Sequence, residues 1–533
     1  MMLTSATRSI NWPDKGDPAP DGTLISNKCP AYAAICSAPG QSRRAILAST
    51  DLREMAASMI NARWSTAYSR FGLGSRASQP PPTGDPREAI RAELDRPGAG
   101  QISVGLPSSE QALTTFYAYS AEQGQARARA DALRGASEAM PSPTAAALMI
   151  PVAEAKPSAP MKAVNPIADA FNAESLARLE AAVAAPVGYV ERLVAFWSNH
   201  FCVSAAKGQN LRILAGPFER EAIRPFVLGK FADMLDAVER HPAMLHFLDN
   251  AQSVGPDSAA GRASHRGLNE NLAREILELH TLGVDGGYSQ ADVTEFARAL
   301  TGWTVVGAEG HLGPPGAFVF NANAHEGGTR SLLGRSYDDD GFAQARAILT
   351  DLARSPATGR HIATKFARAF VADKPPAALV ERLTEVFVKT DGDLGALSRA
   401  LVDDEAAWSE PATKLRDPWE MLVAAIRALG VDARQSQRGL HFLSLLGMPL
   451  WTPAGPNGFP VTADAWASPE GMKARLQIAT ALGRLAKDAP PPPDLIARAL
   501  PDASEETREA VLHAESRPQA YALLLMSPEF QRR

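Results

Sequence analysis

An all-α fold, organised as a single large multi-helix domain, follows from three observations on this 533-residue sequence. Apolar residues recur three and four positions apart through most of the chain, the spacing that places side chains on one face of a helix. Alanine, arginine and leucine are plentiful while aromatic residues make up only 7%, a composition that favours helix and leaves little material for strands. Short clusters of proline and glycine interrupt the periodic stretches and divide them into separate helices.

Residues 1–58 read differently from the rest. Trp12-Pro13, Pro18-Ala19-Pro20 and Asp21-Gly22 break any periodicity, so this segment is expected to be a disordered extension or a mis-assigned start. Residues 59–533 form the helical domain. A helix over 61–68 ends at Gly72 and Gly74, Pro80-Pro81-Pro82 marks a linker, and helices run from 86 to about 139. An Ala/Pro/Ser-rich stretch over 141–160 reads as a surface loop or partly helical linker. Helices over 168–184 and 187–200 follow, the second with Val190, Leu193, Val194 and Trp197 as its apolar stripe. The segment 216–248 carries two more, broken at His241-Pro242.

The densest run of ionisable residues begins at Asn269. Glu270, Arg274 and Glu278 stand four apart as a charge ladder, with Asn271 and Glu275 on a neighbouring stripe. Ser289 and Asp292 have capping-box spacing and open a second helix, whose apolar face is Val293, Phe296, Ala297 and Leu300 and which ends at Gly302. Phe318-Val319-Phe320 and Ser331-Leu332-Leu333 then bracket a polar segment and read as a small hairpin or extended flap near 315–335. Helical periodicity returns over 343–352, again at Ile362, Phe366 and Phe370, and continues to about 446. Proline and glycine recur too densely over 451–460 for regular structure.

Charge and cysteine content exclude several classes. A net charge of -5 gives no basic footprint for nucleic acid and no polybasic tract for an anionic membrane surface. No apolar run reaches the roughly 18 residues needed to span a bilayer, so no integral membrane segment is expected. The start lacks a charged residue run followed by a hydrophobic one, and the chain reads as cytoplasmic as written. Cys29, Cys36 and Cys202 support neither a disulfide framework nor a thiolate metal site, and Cys202 reads as a buried small hydrophobe or a reactive thiol.

Three residues are candidates for chemistry. His200 beside Asn199 offers a base with its orienter, or a metal ligand with a supporting amide; the alternative is a histidine satisfying carbonyls at a helix end. Glu275 lies off the charge ladder, where burial would raise its pKa; the alternative is a structural network. His325 sits in a glycine-bearing loop with few packing duties. These three are the candidate metal ligands or acid-base groups, and a divalent metal is the cofactor class they admit. His280 lies about 140° from Glu275 on a straight helix and reads as a core or helix-end histidine. Asn199, Glu270, Asn271, Arg274, Glu278, Asp292 and Arg298 make up the surrounding polar network. Of these, Asn271 and Arg298 are expected to join His200 and Glu275 around one polar interior. No zinc-protease helix, nucleophile elbow, phosphate-binding loop or EF-hand is present.

Several blocks resemble a known family. They are Trp197-Ser198-Asn199-His200-Phe201, the stretch from Asn269 to Trp303, and Ser527-Pro528-Glu529-Phe530. Weaker matches are Arg70-Phe71-Gly72-Leu73-Gly74, His241-Pro242-Ala243-Met244-Leu245, Pro356-Ala357-Thr358-Gly359-Arg360 and Pro418-Trp419-Glu420. Taken along the chain they resemble the bacterial family catalogued as domain of unknown function 1800. The resemblance implies a mostly helical protein, often encoded beside a partner of the family numbered 1501, whose members resemble sulfatases and alkaline phosphatases. Some relatives are exported, which leaves an envelope location open. Ala454 and Phe459 stand where the family pattern often has proline and tryptophan, a departure that argues against a binding role for that loop. Two functional readings follow. The preferred one is a helical binding or assembly protein acting with the sulfatase-like partner, since no catalytic signature is complete. The other is a hydrolase using His200, Glu275 and His325.

Overall fold

Most helix starts are written locally. Asp85, Asn165, Ser355, Asp417 and Ser468 each accept a backbone N–H two or three residues ahead, and proline fills the first turn that follows. The computed structural model describes residues 60–78, 84–102, 105–138, 165–264, 266–409, 411–434 and 439–533. The expected N-terminal extension, the triple-proline linker and the 141–160 loop lie outside them. The described residues fall within one compact unit, Ser58–Arg533.

The fold is mostly helical, as the periodicity predicts. Tyr189–His200, Gln209–Phe218, Phe231–Arg240, Gln290–Leu300, Phe342–Arg354, Pro356–Phe370 and Ala377–Lys389 bury their apolar faces in one large core. Pro418–Leu429, Pro469–Leu485, Pro492–Ala499, Glu505–Leu512 and Arg517–Met526 surround a second. Pro418–Leu429 is buried along its whole length, so it forms the centre of that second core. Leu73, Leu179 and Ala182 come from early in the chain yet pack into this later core, which ties the two together.

Strand is confined, among the described residues, to two antiparallel two-stranded ribbons, and their pairing corrects the expected flap. Phe318–Phe320 pairs with Trp303–Val305, Trp303 standing opposite Phe320, and not with the later segment. Arg330–Leu332 pairs with Arg335–Tyr337 instead. Leu333 and Gly334 both hold positive φ, the geometry of a two-residue hairpin turn, so this ribbon closes locally. Fully buried Trp303 draws Phe318–Phe320 against the helical core through Phe342.

The helix after Asn269 also departs from a regular one. Asn271–Glu275 is α-helical, but Ile276–His280 is a π-turn. The extra residue per turn carries Glu278 off the stripe of Arg274, so only the first rung of the expected ladder forms, Arg274 to Glu270 at 3.0 Å. Glu270 gains Gln290 and Thr294 as further donors.

One close helix crossing depends on a missing side chain. A Cβ on Gly216 would lie 2.3 Å from Cβ of Glu174, where Gln209–Phe218 meets Pro166–Ala184. Gly216→Ala is expected to cost about 1–3 kcal/mol, read as a lower urea midpoint. An unchanged midpoint would show that the two helices can separate freely.

Candidate functional site

Each of the sequence-predicted residues has its own surroundings in the structure. His200 is 2% exposed at the end of Tyr189–His200, and its Nε2 lies 3.1 Å from the carbonyl oxygen of His280. His361 Nε2 approaches the carbonyl of Leu279 at 3.2 Å. Two histidines thus satisfy carbonyls released by the π-turn, which is the helix-end reading applied to a neighbouring helix. His280 is itself buried and hydrogen-bonds Glu239 at 2.8 Å. Burial, followed by the charge of Lys365 and the neighbouring histidines, holds His200 well below the ordinary histidine range, so its ring is neutral. Its Nδ1 has no partner among the described residues.

Glu275 is half-buried, and desolvation raises its pKa, although the charge of His280 offsets part of the effect. Asn271 is exposed, which removes it from any polar interior. Arg298 pairs with Glu295 at 3.0 Å, and Glu295 also pairs with Arg330 beside the ribbons. Asp292 completes the capping box with Ser289 and accepts the N–H of Leu333, so its carboxylate is occupied by turn geometry. His325 is buried, contrary to the expectation for a glycine-bearing loop: its Nδ1 lies 2.9 Å from the carbonyl of Thr301 and its ring packs on Phe320. Among the described residues no group of three or more His, Cys, Asp or Glu side chains is placed to hold a metal ion.

Asn199 leads to a different site. Its amide donates to the carbonyl of Phe459 at 2.9 Å and accepts the N–H of Phe459 at 2.8 Å. Ser204 Oγ donates to the carbonyl of Pro453 at 2.8 Å, and the N–H of Ala205 donates to that of Trp451 at 2.7 Å. The segment following Trp197 therefore clips down the irregular 451–460 loop along its length. Gly458 is required there, because a Cβ would lie 2.5 Å from the carbonyl oxygen of Asn199 and φ is +76°. Trp451 holds φ +50°, costly for a bulky residue, while its indole N–H donates to Glu219 at 3.0 Å.

Beneath this loop lies a cavity of about 100 Å³ between the two cores. Aromatic walls come from Phe196, Phe370, Trp419, Trp451, Phe459 and Trp466. Charged walls come from Arg178, Arg192, Asp417, Glu420 and Arg533. Sequence reading missed these charged residues because isolated arginines and acids on amphipathic helices look like a solvated face. The one available signal was the Asp417-Pro418-Trp419-Glu420 run, whose first and last residues form a capping box.

Two buried carboxylates organise the walls. Glu219 pairs with Arg224 and with Arg178, at 3.1 and 3.3 Å, and accepts from Ser198 and Trp451. Burial pushes its pKa up, but the two guanidiniums outweigh that and hold it below the ordinary carboxylate range. Glu420 pairs with Arg192 at 2.8 Å and Arg533 at 2.7 Å. There too burial is outweighed by arginines, and its pKa falls to about 2. Asp417 makes no ion pair among the described residues, and burial reinforced by Glu420 raises it to about 6.

A family model described as a protein of unknown function (DUF1800) matches residues 66–532. No curated protein and no solved structure matches the chain.

Two outcomes follow from this geometry. Asn199→Ala removes both hydrogen bonds to Phe459, and limited proteolysis should then cut within 451–460 where the unaltered chain resists; equal resistance would show that the clip is redundant. Asp417 and Glu420 should act on stability with opposite sign. The depressed Glu420 contributes stability above its unfolded value, lost as pH falls through about 2, whereas the raised Asp417 contributes stability lost as pH rises from about 4 through about 6. In Asp417→Asn that second loss, about 2 kcal/mol, should vanish from urea unfolding measured across this range.

Proposed function

We propose that this chain, which belongs to the protein family of unknown function DUF1800, is a binding protein whose ligand enters the cavity between its two cores. The observation that supports this reading is a concave site with mostly apolar aromatic walls and a few fixed polar groups, the usual form of a small-ligand pocket. Its parts are held before any ligand arrives. Asn199, Ser204 and Ala205 fix the roof, and the carboxylates of Glu219 and Glu420 fix the guanidiniums of the walls. Such preorganisation lowers the ordering cost of association. Phe459 keeps an aromatic ring on the cavity even though the family pattern often has tryptophan there.

The hydrolase reading draws no support from the placement of its residues. Of its three residues, His200 Nε2 faces the carbonyl of His280, Glu275 is half-buried, and His325 Nδ1 faces the carbonyl of Thr301. A sulfatase-like partner of the family numbered 1501, implied by the resemblance, is compatible with a binding role, as source or recipient of the ligand.

Phenol, a small neutral aromatic, tests access to the cavity. It should raise the unfolding temperature saturably, because a ligand that binds only the folded state stabilises it by mass action. Ala369→Leu, which fills one wall, should abolish the shift. Absence of a saturable shift in the unaltered protein would overturn the reading.

A further inference from the structure

Arg178 stands out among the cavity walls. It is 8% exposed, and its guanidinium lies over the ring of Trp419 at 4.5 Å and over that of Trp451 at 5.5 Å. Its Nε faces Glu219 Oε2 at 3.3 Å. No hydrogen bond from its two terminal nitrogens is present among the described residues. The other guanidiniums nearby are used up differently. Arg533 donates to Glu420 and to the carbonyls of Ala369 and Phe370, and Arg192 donates to the carbonyls of Ser69 and Arg70 while pairing with Glu420. None of the Arg178 nitrogens is a buried atom left without a partner, so the unfilled fork reaches the open cavity and is available to a ligand.

The free donors on the walls favour one negative head group. Arg178, Arg192, Arg224 and Arg533 are equal in number to Glu191, Glu219, Asp417 and Glu420, and of the three guanidiniums that line the cavity Arg192 and Arg533 are spent on Glu420 and on backbone carbonyls. A singly charged planar anion matches the one open fork, that of Arg178, whereas a doubly charged phosphate or sulfate would lose more hydration than a single fork can replace.

Resting on the binding reading above, we propose that Arg178 anchors the carboxylate of a compact monocarboxylic acid whose ring body packs against Trp466 and Phe459. A guanidinium held flat presents two parallel N–H donors in the plane, the geometry that a planar carboxylate matches. Trp466 spends its indole N–H on the carbonyl of Pro460 at 3.2 Å, and the rings of Trp466 and Phe459 line the cavity. The cavity volume limits the body to about one small ring. Burial pulls the Arg178 guanidinium below its ordinary range, a penalty that a bound carboxylate would relieve.

Calorimetric titration of the full chain with benzoate tests this assignment against benzamide, which is nearly the same shape but neutral. Benzoate should bind at least tenfold more tightly, and cyclohexanecarboxylate should also bind. Arg178→Lys keeps the positive charge opposite Glu219 but loses the fork, and should weaken benzoate at least tenfold while leaving benzamide unchanged. The benzoate-to-benzamide comparison on the unaltered chain stands even if that variant fails to fold. Equal affinity for benzoate and benzamide, or benzoate binding retained in Arg178→Lys, would overturn the anchor while leaving the binding cavity intact. Tighter binding of sulfate or phosphate than of benzoate would overturn the carboxylate assignment. Failure of phenol, benzamide and benzoate alike would remove both readings together.

Discussion

Glu219 and Glu420 are carboxylates enclosed by protein, and an ionised carboxylate in such a place persists only if cations are brought to it. Each one gathers guanidiniums from segments far apart in sequence. Glu420 holds Arg192 from the first core and Arg533 from the end of the chain. Glu219 holds Arg178 and Arg224 and also takes the indole N–H of Trp451. The two helical cores are therefore joined at a seam where each of these two carboxylates is held by guanidiniums from distant segments. Removing one partner would strand the rest, so the network is demanding in geometry even where its net contribution to stability is modest.

The cavity is a consequence of that seam. Guanidiniums, indoles and carboxylates held at hydrogen-bonding distances cannot slide together to fill space as flexible aliphatic side chains do. The 451–460 loop closes over them, and its conformation is imposed from outside. Its proline and glycine content prevents regular structure, while Asn199, Ser204 and Ala205 supply the hydrogen bonds its backbone lacks. Trp451 accepts an unfavourable backbone angle because Glu219 and Ala205 hold both its side chain and its carbonyl.

The histidines near the π-turn show how buried polar residues imitate a reaction centre. His200, His280 and His361 lie within about 6 Å of one another in the pairs His200 with His280 and His200 with His361. Each ring has a structural duty: two face carbonyls at the end of the turn, and the third is bonded to Glu239. Their concentration follows from a local backbone irregularity that leaves acceptors without helical donors.

Elements governed by nearby residues were legible in the sequence. The helical class, the helix ending at His200, the break at His241-Pro242, the capping box of Ser289 with Asp292 and the irregular 451–460 loop all depend on interactions within a few positions. What escaped depends on distance or on backbone register. Strand partners in the ribbons, the π-turn that separates Glu278 from Arg274, the burial of His325 and the exposure of Asn271 are outcomes of packing that local spacing does not encode. Arg178, Arg192, Glu219, Glu420 and Arg533 each resemble an ordinary surface charge on its own helix or chain end. Only the assembled cores bring them together, because a buried charge acquires its partner, and its meaning, from whatever segment the fold places opposite it.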